Sequence, residues 1–176
     1  MGTYVNAVHN MEFSGPTYFT PLLKQAFASA QGLQNSFSYM ILLILTDGTI
    51  HDMGETKDII VKNANLPISV VIVGLGKANF EDMKELDGDG GLFSQGTKCP
   101  RDIVQFVPFN KFGGNAQLLT QELLREIPNQ VNQYFVIFSN NDRKWLEGCR
   151  SLKNQWRWKK FDQIIRNKYL SNLFFC

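Results

Sequence analysis

The sequence predicts an α/β fold in which a mostly parallel sheet is flanked by helices. Three observations carry that prediction. Met40-Ile41-Leu42-Leu43-Ile44-Leu45 is a run of six consecutive apolar residues that ends in the turn Thr46-Asp47-Gly48. Ile68 to Gly76 is a second, β-branched apolar run stopped by glycine, and Asp102 to Val107 is a third, stopped by Pro108. Helical patterns lie between these runs, and strand–helix–strand alternation is the signature of parallel pairing with right-handed crossovers.

Each element has its reason in its residues. Thr3 to Val8 reads as the end of a helix. The Gly15-Pro16 turn then delivers Thr17 and Thr20 to a helix entrance. Thr20 is expected as the N-cap, with Pro21 at the first helical position, where its missing N–H costs nothing. Leu22, Leu23, Ala26, Phe27 and Ala30 come next at helical spacing. The Met40 to Leu45 strand has no polar alternation, so it is expected to be buried on both faces. Gly54 to Asn65 places Asp58 and Lys62 four apart on one helical face and turns Ile59, Ile60 and Val61 toward the sheet. Asn79 to Leu86 starts with a capping asparagine and carries acidic residues in its first turn, where the helix dipole favours them.

The carboxyl ends of the strands are where an open α/β sheet binds ligands. Asp47 falls at such an end, and Gly48 lets the chain turn away. A carboxylate there is suited to hold a cation directly or through water. The same Asp-Gly pair also serves as an ordinary turn, with Asp47 capping the next turn or helix. Thr17, just outside the helix entrance, has a hydroxyl free to face that edge. His51 is close enough in sequence to be a neighbour, although a lone histidine is more often simply a surface residue.

Taken together, these residues resemble a von Willebrand factor A domain, specifically the A domain of the copines. The match rests on Ser14-Gly15-Pro16-Thr17, Leu43-Ile44-Leu45-Thr46-Asp47-Gly48, Val71-Ile72-Val73-Gly74, Leu86-Asp87-Gly88-Asp89-Gly90 and Arg101-Asp102-Ile103-Val104-Gln105-Phe106-Val107-Pro108-Phe109. Glu126-Ile127-Pro128 with Gln130-Val131 resembles the family's closing helix, and the likeness covers about Gly2 to Phe135. The resemblance implies a partial A domain, α/β and Rossmann-like, lacking the first strands. A-domain metal sites are built from a DxSxS turn, a threonine that here matches Thr17, and an aspartate that here matches Asp47. Such all-oxygen sites take hard cations, Mg²⁺, Mn²⁺ or Ca²⁺. The metal is then a docking point completed by an acidic group of a partner, with His51 and Asp52 as partner-binding neighbours.

The chain departs from that pattern at its front. No DxSxS occurs in it, and the strands carrying that turn would precede Met1. With two of three ligand pieces, cation binding is expected to be weak. The Met40 strand is then expected to lie at a sheet edge, so the chain should be unstable, oligomerise or depend on a partner. Full copines resemble calcium-dependent phospholipid-binding proteins, in which two lipid-binding domains bring the A domain to a membrane where it recruits target proteins. The implied role is a non-catalytic adaptor. A metal-dependent hydrolase built on Asp47 is the less favoured alternative, because the ligand set is incomplete.

At 176 residues the chain is long enough for one domain with a substantial core. No segment reaches the ~20 uninterrupted apolar residues of a membrane span. The N-terminus lacks a basic-then-apolar signal pattern, so a cytoplasmic protein is expected, with peripheral association with the plasma membrane through the family context. Cys99, Cys149 and Cys176 are odd in number and widely spaced, and read as reduced thiols. Asp87-Gly88-Asp89-Gly90 lacks the remaining ligands of a calcium loop and reads as a turn. Gly74-Leu75-Gly76 lacks the third glycine of a dinucleotide fingerprint, since Asn79 stands there.

Charge divides the chain. Residues 1–135 hold 9 Lys+Arg against 13 Asp+Glu, whereas residues 136–176 hold 9 against 3. A boundary between an A-domain part and a basic tail is therefore expected near Phe135. The tail contains all three tryptophans, Trp145, Trp156 and Trp158. Trp145, Cys149, Leu152 and Trp156 share one helical face, with Lys159 and Lys160 beyond it. A basic amphipathic helix with aromatic anchors suits an anionic membrane surface or a calmodulin-type partner. The alternative is a tail that is disordered or packs loosely on the sheet. No RNA- or DNA-binding motif accompanies it, and no nucleic-acid partner is expected.

Overall fold

Pro21 sits in the first turn of α1 (Thr20–Gln31), the position its fixed backbone suits. The structure, a computed structural model, describes residues 15–34, 38–88 and 91–141, with Asn6 and His9 in helical backbone ahead of them. Side chains are described as far as Ile137. After α1 come β1 (Met40–Thr46), α2 (Met53–Asn63), β2 (Ile68–Gly74), α3 (Glu81–Asp87) and the short strands β3 (Phe93–Ser94) and β4 (Thr97–Lys98). β5 (Val104–Pro108), a 3₁₀ turn (Phe109–Phe112), α4 (Ala116–Leu123) and α5 (Ile127–Asn141) complete the described chain.

β1, β2 and β5 form one parallel sheet in the order β1-β2-β5. Met40 pairs with Ile68 and Thr46 with Gly74, and Val70 pairs with Val104 and Gly74 with Pro108. Side chains alternate across the pleat. Ile44, Ile68, Val70, Ile72, Val104 and Phe106 enter one core with Leu23 and Phe27 of α1, Ile60 and Val61 of α2, and Met83 and Leu86 of α3. The opposite face carries Ser69 and Gln105, which meet residues at the start of α5. β2 is buried along its whole length, as a central parallel strand covered on both faces should be.

β1 departs from the expectation of burial on both faces. Ile44 and Thr46 are buried, but Ile41 and Leu45 are 42% and 43% exposed. The reason is coverage. α4 packs over β5 and α5 over β2, which leaves the second face of β1 open. Among the described residues β1 also has no strand on its outer side.

Two capping expectations and one strand boundary also change. α1 begins at Thr20 with Phe19 in the cap position, which has no side-chain acceptor. Its open amides are satisfied instead by Asp52, from the loop after β1. α3 begins at Glu81, with Phe80 at the cap. Asn79 still supplies the acceptor, taking the Glu81 N–H at 3.1 Å. The third strand starts at Val104 rather than Asp102, because the Asp102 carboxylate folds back to accept the Val104 N–H at 3.0 Å. The Asp87-Gly88 turn ends α3, with Gly88 in the left-handed region at φ 63°. α5 runs unbroken past Phe135 to Asn141. The tail residues Trp145, Trp156, Trp158, Lys159 and Lys160, and with them Cys149 and Cys176, lie outside the described residues. Among the described residues no helix is long and apolar enough to cross a membrane.

Arg101 locks the end of the molecule away from the strands' carboxyl edge. It is 3% exposed. Nε donates to the Ala64 carbonyl at 3.0 Å, Nη1 to the Tyr39 hydroxyl at 2.9 Å and the Gln130 carbonyl at 2.7 Å, and Nη2 to the Leu66 and Ile68 carbonyls at 2.8 and 3.2 Å. All five guanidinium donors are thereby used. The planar group also lies 5.8 and 5.7 Å from the centres of the Tyr39 and Tyr134 rings.

Candidate functional site

The carboxyl edge of the sheet is assembled by backbone and side-chain bonds between two segments far apart in sequence. One is the entrance to α1, the other the loop from β1 to α2. The Thr17 N–H donates to His51 Nδ1 at 3.1 Å, and the His51 N–H donates to the Thr17 carbonyl at 2.9 Å. His51 Nδ1 also lies 3.4 Å from the Thr17 carbonyl, so both backbone groups of Thr17 meet this side of the ring. Tyr18 lies edge-on to the His51 ring, 6.4 Å between centres.

Asp52 makes the second tie. Its Oδ1 accepts the Phe19 N–H at 3.0 Å and its Oδ2 the Thr20 N–H at 2.7 Å. A carboxylate from 32 residues away thus does what an N-cap residue ordinarily does. Partial burial pushes the Asp52 carboxyl up, but the bonds from the Thr20 hydroxyl and the Phe19 and Thr20 amides outweigh it, and its pKa lies below the usual carboxylate value. Thr20 and Thr56 hydroxyls meet at 3.5 Å beneath it. Sequence reasoning placed Asp52 at this edge as a partner-binding neighbour and did not foresee the capping role. The usable signal was Phe19 itself, a residue unable to cap the helix it precedes.

Asp47 stands exposed at the end of β1 and takes no hydrogen bond from any described residue. Thr17 is exposed on the same edge, held there by the clasp to His51, four residues beyond Asp47. The structure therefore brings Thr17, Asp47, His51 and Asp52 to one edge. A shallow cavity of about 440 Å³ beside His51 and Asp52 is lined also by Tyr18, Thr20, Lys24 and Glu55, among others; Thr17 and Asp47 are not part of its lining. A larger cavity of about 770 Å³ lies at the other end of the strands, between α5 and the chain around Cys99 and Arg101. Two of its polar walls, Arg101 and Cys99, are committed to structure, whereas the Gln130 side-chain nitrogen in the same wall is buried without a partner among the described residues. Arg101 is fully bonded, and Cys99 donates its S–H to the Arg101 carbonyl at 3.0 Å. Burial pushes the Cys99 thiol up in pKa, so it is a poor nucleophile.

The fit to a divalent cation is partial. Thr17 and Asp47 offer a hydroxyl and a carboxylate, the hard oxygen donors that Mg²⁺, Mn²⁺ or Ca²⁺ prefers. Both Asp52 oxygens are engaged by α1. Among the described residues no group of three or more His, Cys, Asp or Glu side chains gathers around a common point. The described donors do not close around a cation by themselves.

A copine family model matches residues 1–143. Copine-C of Dictyostelium discoideum is 48% identical over 136 residues, covering 75% of this chain and 25% of the relative. Copine-A of the same organism is 45% identical over 130 residues, covering 72% and 22%, and Copine-B 47% over 135 residues, covering 73% and 26%. This chain spans about a quarter of the length of these relatives.

Proposed function

Because the chain belongs to the copine family, we propose that it is the protein-interaction module of a calcium-dependent phospholipid-binding protein, docking target proteins on the carboxyl edge of its sheet. Its α/β architecture is that of part of a von Willebrand factor A domain. The observation that carries the proposal is the presentation of Asp47. The loop bearing it is tied down by the His51 clasp and the Asp52 cap, yet the Asp47 carboxylate itself is exposed and uncommitted. Rigid presentation of a free acidic group suits docking, where a loose loop loses affinity to ordering entropy.

On this reading Thr17 and Asp47 are the metal-facing ligands and His51 and Asp52 the flanking contacts. Mg²⁺, Mn²⁺ or Ca²⁺ bound there would bridge to an acidic side chain of the partner. The module is read as non-catalytic and cytoplasmic, reaching the plasma membrane and its phospholipids through the rest of a copine-type protein. The test compares wild type with Thr17→Ala and Asp47→Ala as immobilised baits, each with and without Mg²⁺. Proteins retained by wild type and lost from both variants support the edge as the docking site. A retained set identical for all three baits refutes it.

A further inference from the structure

α5 meets the sheet through one row of side chains. Glu126 faces Gln105, Gln130 accepts from Ser69 at 2.6 Å, and Tyr134 lies against Tyr39 at 5.8 Å between ring centres. The neighbouring row, Asn129, Gln133 and Ile137, lines the cavity of about 770 Å³. Leu92 and the chain from Lys98 to Val104 form the facing wall. The cavity lies at the amino end of β5, the strand farthest from β1 in the sheet, and all of its lining falls between Ile60 and Ile137. At its rim Val136 and Ile137 are 50% and 38% exposed.

The helix that forms this wall stops beside it. α5 ends at Asn141, within the run Ser139-Asn140-Asn141-Asp142 of poor helix formers. Asparagine suits the end of one helix, and aspartate suits the N-cap of the next. Trp145, Cys149, Leu152 and Trp156 then recur at helical spacing. Helices joined by two to five residues pack as an antiparallel hairpin.

We propose that residues 145–156 form a helix that folds back along α5 and lays this aromatic stripe into the cavity. The lengths agree. Trp145 to Trp156 spans ~16 Å at 1.5 Å per residue, and Glu126 to Ile137 spans the same. With the connection at Asn141 and Asp142, the four stripe residues come level, to within a residue, with Ile137, Gln133, Gln130 and Glu126, all of which line the cavity. The charges agree as well. Residues 136–176 hold 9 Lys+Arg against 3 Asp+Glu, and residues 1–135 hold 9 against 13. Arg157, Lys159 and Lys160 arrive beside Glu122 and Glu126, which share Arg125 at 3.5 and 3.0 Å. Opposite charges there fix the direction and register of the returning helix. Docked, the domain covers the stripe that a membrane surface would otherwise take up. An isolated tail peptide exposes that stripe, and the full chain does not.

The experiment uses the full chain. All three tryptophans lie after Lys144, so tryptophan emission reports the tail alone. Wild type is expected to emit to the blue of free tryptophan, with acrylamide quenching severalfold weaker. Ile137→Asp puts a charge in the cavity wall, and Leu152→Asp puts one in the stripe without touching the domain. Both are expected to move the emission to the red and to raise quenching toward the free value. Leu118→Asp, on α4 and 51% exposed but outside the lining, should change neither. Slow amide exchange across β2 confirms that each variant keeps its fold, and if Ile137→Asp loses it, Leu152→Asp decides. Wild-type emission and quenching equal to those of free tryptophan overturn the proposal. So does a blue-shifted emission that neither aspartate moves, because the tail is then buried elsewhere. A blue shift that grows with protein concentration assigns the stripe to a second copy and also overturns it. A blue shift that arises only with phosphatidylserine vesicles does the same, in favour of a membrane anchor.

Discussion

Arg101→Met is the substitution whose effect can be worked out most fully. Methionine keeps the length of the stem and removes the five donors. Four backbone carbonyls and the Tyr39 hydroxyl lose a bond. Two of the carbonyls retain another donor, since the Leu66 carbonyl takes the Ile68 N–H at 2.8 Å and the Ile68 carbonyl takes the Tyr39 hydroxyl at 2.9 Å. The Gln130 carbonyl lies inside α5 and keeps its place in the helix ladder, so the Ala64 carbonyl is the group that loses its donor outright. At ~1–3 kcal/mol for a stranded buried group, with relief from burying a charge offsetting part of the remaining lost bonds, a loss of ~1–3 kcal/mol is expected. With a urea slope of ~2 kcal/mol per molar, the unfolding midpoint falls by ~0.5–1.5 M. Urea titration tracked by far-ultraviolet circular dichroism measures it. Arg101→Lys should lose nearly as much, because a lysine offers three donors where five are used. A midpoint shift within the ~0.5 kcal/mol typical of surface changes would refute the claim that this guanidinium ties α5 to the sheet.

Asp47→Ala is expected to abolish whatever Mg²⁺ or Mn²⁺ binding calorimetry detects, and wild-type affinity should be weaker than micromolar; tight wild-type binding would contradict a two-ligand site. Gly74→Val should cost ~1–3 kcal/mol, because a Cβ there would sit 3.0 Å from both the Phe106 and Phe80 rings; an unchanged melting temperature would show that the rings yield freely. Asp52→Ala should remove ~0.5–2 kcal/mol at neutral pH by uncapping α1. The Asp52 carboxyl has a lowered folded-state pKa, so its contribution is present above the unfolded value of ~4 and lost as pH falls through the folded one; wild type and variant should therefore converge in acid, and a gap constant with pH would count against the cap. A peptide of residues 142–160 should float with phosphatidylserine liposomes at low salt and be released by high salt; no flotation would remove the membrane role of Trp145, Trp156, Trp158, Lys159 and Lys160.

The sheet was legible because each strand is a local signal. Six apolar residues in a row at Met40 and seven buried ones from Ile68 can only sit in a core or at its margin. Order and coverage were less legible. Periodicity at Met40 to Leu45 says that both faces are apolar, not that both are covered, and coverage is set by how far α4 and α5 reach. The site was half legible. Asp47 could be placed from its own strand, and Thr17 from the turn before α1. The clasp to His51 and the Asp52 cap join residues 34 and 32 positions apart, and no spacing rule connects them. Arg101 was least legible: a single arginine before a strand reads as a surface charge until the carbonyls of four other residues are seen to converge on it.

The same long-range bonds make the carboxyl edge a coupled unit. Asp47, His51 and Asp52 sit in one short loop, and two of the three are bonded to the entrance of α1. A load on Asp47, whether a cation alone or a cation bridged to a partner's acidic group, therefore pulls on the segment that carries Thr17 and the cap of α1. Thr17→Ala deletes the hydroxyl and the γ-methyl and keeps the backbone clasp, because the bonds to His51 use the Thr17 N–H and carbonyl. His51→Ala removes the imidazole acceptor and loosens the clasp; it also removes a proposed flanking contact and leaves the proposed metal-facing groups Thr17 and Asp47 in place. If rigid presentation matters to docking, His51→Ala weakens partner retention while leaving Asp47 intact, and amide exchange at Thr17 and Phe19 rises with it. If only the ligand atoms matter, exchange rises and retention does not change.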